Sequence, residues 1–294
     1  LPLLSARLAS LAPQWEIVLV DDGSTDATGE RMDRWIRQPG VHALQLSRNF
    51  GKEAALTAGL EAAAGAVVVM MDSDMQHPPA LLDTFVRHWR AGADVVYAVR
   101  EHRDAETAFK RVGTGWFYRL INHGDRFEVP QGAGDFRLMD RRVVQALLAL
   151  PERNRFMKGL YAWVGFESVA VPYLPDERQH GRSYFNKLRL LRLAFAGLTA
   201  FTVWPLRAVI ALGFVLALAA FGYGAYLTLV YLLYGHDVSG WTTIVVSLML
   251  FVGIQLVSLG VVGEYVGRIY EEVKRRPLYV VKRELGQGLR KDEA

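Results

Sequence analysis

The chain contains no cysteine. Disulfides and thiolate-ligated metal sites are therefore excluded, although the compartment is not decided by this. Charge is the next thing missing, and only locally. No Asp, Glu, Lys or Arg occurs between Arg207 and Asp237, and none between Asp237 and Glu264. A helix needs about 20 apolar residues to cross a bilayer, so a simple soluble protein is excluded. Long low-complexity runs are also absent and aromatics reach 11%, which excludes a disordered chain.

What is present divides in two. The 294 residues carry a net charge of +4. Residues 1–186 hold 22 basic and 23 acidic side chains, a balance of −1, whereas residues 187–294 hold 12 and 7, a balance of +5. The positive excess lies beside the apolar segments, as cytoplasmic flanks of membrane helices require. Nucleic-acid binding has no support beyond bulk charge, so no nucleic-acid partner is expected.

Residues up to about 175 alternate short apolar runs with helical patterns. Strands are predicted at Glu16–Val20, Val41–Leu46, Ala66–Met71, Ala93–Val99, Asp135–Met139 and Phe166–Val171. Helices are predicted at Leu1–Leu11, Ala27–Gln38, Glu53–Ala64, Pro79–Arg90, Ala108–Asn122 and Arg141–Leu150. That rhythm predicts an α/β fold with a mostly parallel sheet and helices on both faces. Ligands of such sheets bind at the C-terminal ends of the strands. Lys187–Phe201 interleaves Lys187, Arg189 and Arg192 with leucines, the pattern of a helix lying in the membrane interface. Two spans are predicted at about 208–234 and 241–263, joined by a link too short for a domain. Arg207 before them and Arg268, Lys274, Arg275 and Arg276 after them place both flanks in the cytoplasm. The predicted divisions are a catalytic domain at 1–186, an interface helix at 187–204, the two spans within 205–264 and a basic cytoplasmic tail at 265–294. Small residues in the spans, such as Gly213, Gly224 and Gly260, permit close packing between helices or between copies of the chain.

Two acidic clusters lie at predicted strand ends. In Asp21-Asp22-Gly23-Ser24-Thr25-Asp26, the carboxylates could accept hydrogen bonds from a ribose or base, with Ser24 or Thr25 capping the next helix; a plain capping turn explains the hexapeptide equally well. In Asp72-Ser73-Asp74-Met75-Gln76-His77, carboxylates two residues apart beyond a strand can converge on one divalent cation. Hard oxygen donors suit Mg²⁺ or Mn²⁺, with water and a substrate diphosphate filling the remaining positions. Gln76 offers a further oxygen. His77 could ligate, but packing before the two prolines is its simpler role.

These clusters, together with Leu46-Ser47-Arg48-Asn49-Phe50-Gly51-Lys52, resemble the family-2 glycosyltransferases with a GT-A (Rossmann-like) fold. More narrowly they resemble the polyprenyl-phosphate glycosyltransferases, a group that includes bacterial undecaprenyl-phosphate glucosyltransferases and dolichol-phosphate mannosyltransferases. The resemblance continues through Gly134-Asp135-Phe136-Arg137, Glu152-Arg153-Asn154-Arg155-Phe156 and Gly263-Glu264-Tyr265. It implies that Asp21 and Asp22 contact the nucleoside of a nucleotide-sugar donor. Asp72 would lie near the ribose and diphosphate and share a Mg²⁺ or Mn²⁺ ion with Asp74 and Gln76. Asp135 would lie beside the reacting sugar, and Arg137 would grip the phosphate of a polyprenyl phosphate acceptor. Lys110, Arg111 and Arg155 are further phosphate candidates that serve equally as surface charges, and Arg48 and Lys52 share that ambiguity. The implied activity is inverting, metal-dependent transfer of a hexose, with UDP-glucose the expected donor, at the cytoplasmic face of a bacterial inner membrane.

The sequence departs from the family in two places. The first strand with its Pro-x-Tyr-Asn-Glu turn is absent, so a preceding segment is expected. In Gly181-Arg182-Ser183-Tyr184, Tyr stands where Lys is usual. A processive polysaccharide synthase would have more spans and a Gln-x-x-Arg-Trp motif, of which Glu152–Phe156 is a partial analogue. A non-catalytic, membrane-tethered nucleotide-sugar sensor is the alternative from another class.

Overall fold

A computed structural model describes residues 1–74, 76–100, 133–153, 155–174, 204–235 and 240–289. The chain forms two compact units. One comprises Leu1–Leu191 with Arg275–Ala294, the other Arg192–Lys274.

In the first unit, helix α1 (Pro2–Leu11) precedes strand β1 (Ile17–Asp21) and helix α2 (Thr28–Trp35). Strand β2 (Val41–Leu46) follows, then helix α3 (Lys52–Ala62) and strand β3 (Val67–Met70). Helix α4 (Leu81–Arg90) leads into strand β4 (Val95–Arg100). Strand β5 (Ala133–Asp140) runs directly into helix α5 (Arg141–Ala149), followed by helix α6 (Met157–Trp163) and strand β6 (Ser168–Tyr173). The expected strand–helix alternation is therefore present. The predicted helix Ala108–Asn122, the interface helix and the Gly181–Tyr184 loop lie outside the described residues.

The pairing differs from the mostly parallel sheet that the alternation predicts. One sheet has the order β1-β2-β7, where β7 is Val281–Gly286, and the other has the order β3-β5-β4-β6. The β1–β2 and β4–β6 pairs are parallel. The β3–β5, β4–β5 and β2–β7 pairs are antiparallel. A helical crossover between neighbouring strands makes them parallel, and alternation reads only those units. Strands β5 and β7 arrive after long connections, so each is free to enter in the other direction.

Strand β7 also revises the expected tail. Residues 265–274 continue a membrane helix, and 281–286 form an edge strand beside the buried β2. His42 on β2 meets Glu284 at 3.0 Å, and Arg283 meets Asp33 at 2.7 Å. The Glu16 carboxylate accepts the backbone N–H groups of Ala64 (2.6 Å) and Gly65 (3.3 Å), and also that of Leu289 (3.0 Å) beyond β7.

The core follows from the apolar faces. Phe85 and Leu82 of α4 pack on Val96 and Ala98 of β4 and on Phe136 and Leu138 of β5. The Phe85 and Phe136 rings lie 4.9 Å apart and tilted, a favoured aromatic arrangement. On the other sheet, Leu44 and Leu46 of β2 pack against Ala58 of α3. Asp140 ends β5 and caps α5 by accepting the Arg142 N–H at 3.0 Å.

In the second unit, helices α7 (Trp204–Tyr234) and α8 (Trp241–Lys274) are long and apolar. Within Leu206–Leu233 and Thr243–Lys274, 18-residue stretches reach mean hydropathies of 2.1 and 2.4, and neither stretch is buried in protein. A soluble core would have to cover these surfaces, so the helices associate with a membrane. At about 1.5 Å per residue, each exceeds the roughly 30 Å of a hydrocarbon core. The second helix runs past the predicted end at 263 and places Arg268 against Glu264, 3.1 Å away and one turn back.

Candidate active site

The first acidic turn leaves the C-terminal end of β1. Asp21 is buried, and both of its carboxylate oxygens have protein partners. One accepts the Ser24 N–H at 2.9 Å and the other the Gln45 side-chain amide at 3.1 Å, across the parallel pair with β2. Asp22 accepts the N–H groups of Phe50 (2.7 Å) and Gly51 (2.9 Å). Gly23 has φ +68°, and a side chain there would collide with the backbone of Arg48. The turn thus joins the loop before α3, with both acids shaping it. Neither Ser24 nor Thr25 caps α2, whose N-cap position is Ala27; Asp26, just before it, accepts the Thr28 N–H at 3.0 Å.

That loop presents Lys52. Gly51, at φ +100°, turns the chain into α3, and Lys52 is the first helical residue. Its ammonium lies 2.9 Å from Asp72, just past β3, and 2.6 Å from Asp135 on β5. Three residues separated in sequence therefore meet at one cation. Burial works against the Lys52 charge, but the hydrogen bonds and charges of Asp135 and Asp72 outweigh it and hold its pKa above the ordinary value. The His77 ring, 4.0 Å away, and then Lys52 bring Asp72 down to about 2 against the opposing effect of burial.

His77 is fixed by packing. Its ring stacks on Phe136 with centroids 4.7 Å apart, and its Nδ1 lies 3.1 Å from the Tyr173 hydroxyl. On the same loop, Asp74 accepts the Gln76 backbone N–H at 3.1 Å, and the Gln76 side-chain Oε1 accepts from Arg100 at 3.5 Å. Among the described residues, no three His, Cys, Asp or Glu side chains converge as a preformed metal cage. Asp72, Asp74 and Gln76 nevertheless supply hard oxygens from one loop, with Asp72 kept ionised. Such a donor set fits a Mg²⁺ or Mn²⁺ ion that takes its remaining ligands from a diphosphate and water.

Arg137 lies two residues after Asp135 on β5, where the register against β4 shifts. Only 4% of it is exposed. It donates to the Gly134 carbonyl at 2.7 Å, and its guanidinium stacks 3.4 Å from the centre of the Tyr161 ring. Glu53, which belongs to none of the sequence motifs, lies in the same neighbourhood. Burial, followed by the charge of Asp135, pushes its carboxyl up to about 7, against the opposing Met157 N–H at 3.3 Å and the Lys52 and Lys158 charges.

Other candidates are placed differently. Arg155 donates to the carbonyls of Glu152 (3.1 Å) and Leu150 (2.7 Å) and reaches the Thr57 hydroxyl at 3.5 Å. It ties the end of α5 to α3, and among the described residues no hydrogen bond or ion pair joins it to the Lys52 cluster. Arg48 stacks over Phe50 at 4.1 Å. Lys110 and Arg111 lie outside the described residues.

Comparison with known proteins matches residues 1–148 to the Glycosyl transferase family 2 model. A prophage-derived bactoprenol glucosyl transferase of Shigella flexneri is 43% identical over 269 residues, covering 91% of this chain and 87% of that protein. A prophage bactoprenol glucosyl transferase homolog of Escherichia coli K12 is 42% identical over 269 residues, covering 91% and 88%. An uncharacterized glycosyltransferase of Synechocystis is 42% identical over 275 residues, covering 93% and 86%.

Proposed function

The chain belongs to glycosyltransferase family 2, and from that premise we propose that it transfers glucose from UDP-glucose to undecaprenyl phosphate at the cytoplasmic face of a bacterial inner membrane. The observation that carries this reading is the meeting of Lys52, Asp72 and Asp135 at one strand-end site, on a chain that also holds two helices long and apolar enough to cross a membrane. The relatives named bactoprenol glucosyl transferase, at 42–43% identity over about nine-tenths of the chain, support the sugar and the lipid class.

In the proposed reaction the bond between the anomeric carbon and the donor diphosphate breaks as an oxygen of the lipid phosphate bonds to that carbon. The products are UDP and glucosyl phosphoryl undecaprenol, with the anomeric configuration inverted. The leaving UDP gains negative charge, and the sugar passes through an oxocarbenium-like state. Asp72, Asp74 and Gln76 would hold a Mg²⁺ or Mn²⁺ ion, which supplies charge neutralisation at the departing diphosphate when bound. Lys52 adds a cation beside Asp72. The acceptor phosphate is already anionic, so no strong base is required. Asp135 orients the sugar and stabilises its developing positive charge, and Arg137 holds the acceptor phosphate. Basic residues flanking the helices support a cytoplasmic position for both flanks.

Incubation of the purified protein with radiolabelled nucleotide-sugars, undecaprenyl phosphate and Mg²⁺ or Mn²⁺ tests the proposal. Butanol-extractable labelled glucose from UDP-glucose is the expected product. Absence of lipid-linked product from every common donor overturns it.

A further inference from the structure

Arg137 is a buried cation with no ion-pair partner among the described residues. Among the described residues, no carboxylate lies within ion-pair distance of its guanidinium, and its Nε has no hydrogen-bond partner. The nearest acid along the strand, Asp135, is ion-paired with Lys52 at 2.6 Å and acts on Arg137 only as a charge at longer range. A charge in such a position is costly unless something compensates for it. What faces it is aromatic. The Tyr161 ring centre lies 3.4 Å from the guanidinium carbon, and that of Tyr97 lies 5.9 Å away. An aromatic face attracts a cation through its quadrupole but contributes no net charge. Burial holds the Tyr161 phenol protonated, well above its ordinary range, so the ring remains a neutral partner. Among the described residues its hydroxyl reaches only the Met70 sulfur, at 3.7 Å, a weak contact.

We propose that Tyr161 is a positioning residue whose ring fixes Arg137 without neutralising it, so that the guanidinium keeps its whole charge for the phosphate of the lipid acceptor. A carboxylate in the same place would hold Arg137 equally firmly but would cancel the charge the acceptor needs. This inference rests on the assignment of Arg137 to the acceptor phosphate made above. It assigns the ring, not the hydroxyl, as the working part of Tyr161.

Steady-state kinetics of the full-length protein in detergent test it, with undecaprenyl phosphate and UDP-glucose varied separately. Tyr161→Phe should stay within about 2-fold of wild type in every constant, because the ring remains. Tyr161→Leu should raise the acceptor KM roughly 10-fold and leave the donor KM within about 2-fold. Tyr161→Met, which fills more of the same volume without a π face, gives the same reading if the leucine variant does not fold. Arg137→Ala should raise the acceptor KM at least as far, and adding Tyr161→Leu to it should do nothing more. Additive effects of the two substitutions overturn the inference while leaving the phosphate assignment intact. So does a Phe variant as impaired as the Leu variant, or an effect that falls on the donor KM. An unchanged acceptor KM in Arg137→Ala overturns the phosphate assignment itself.

Discussion

The ammonium of Lys52 stands 2.6 Å from the carboxylate of Asp135, a residue more than eighty positions later in the chain. With Asp72 at 2.9 Å, that one side chain links the start of α3, the loop after β3 and the strand β5. Removing the cation would leave two carboxylates facing each other and deprive the donor diphosphate of a positive neighbour. Lys52→Met is expected to lower kcat/KM for the nucleotide-sugar by about 10²-fold or more, with Lys52→Arg recovering part of the loss. An unchanged kcat/KM for the methionine variant would remove Lys52 from the site.

Glu53 gives the site a pH signature. Burial, followed by the charge of Asp135, raises its carboxyl from an ordinary 4.5 to about 7. The folded protein therefore keeps a proton that the unfolded chain releases, and stability falls as pH rises between those two values. Below the lower value the group costs nothing; above the upper one the penalty is complete. Glu53→Gln should thus be more stable relative to wild type at pH 8 than at pH 5, measured as thermal midpoints in detergent. Equal differences at both values would mean that Glu53 is not held protonated.

Glu16 joins the link between α3 and β3 to the chain beyond β7, accepting three backbone N–H groups. Replacement by alanine leaves those donors without their partner. Glu16→Ala is expected to lower stability by about 2–3 kcal/mol and to speed amide hydrogen exchange at Leu289. Protection at Leu289 equal to that of wild type would contradict the contact.

Much of this architecture was legible in the sequence because local chemistry announces it. β2 spans the predicted Val41–Leu46, and both acidic turns stand at strand ends. Other features depend on partners distant in sequence. β7 reads as Val-Lys-Arg-Glu-Leu-Gly, a polar and mostly exposed edge strand whose pairing is set by β2 rather than by its own pattern. Helix α6 has only seven residues, too few to display a periodicity. Arg155 reads as a phosphate-binding cation, yet charge alone cannot reveal that its donors go to Leu150, Glu152 and Thr57. Glu53 and Tyr161 belong to no motif. Their importance comes from burial next to Asp135 and Arg137, which only the folded chain creates.

The proposed chemistry is tested most directly by label transfer from UDP-glucose to undecaprenyl phosphate in wild type and Asp74→Ala, assayed side by side with Mg²⁺ or Mn²⁺ and with thermal midpoints recorded for both. Wild type should form lipid-linked glucose, and the variant should lose it by at least about 10²-fold at an unchanged midpoint. Full transfer by Asp74→Ala, or none by wild type, would contradict the account.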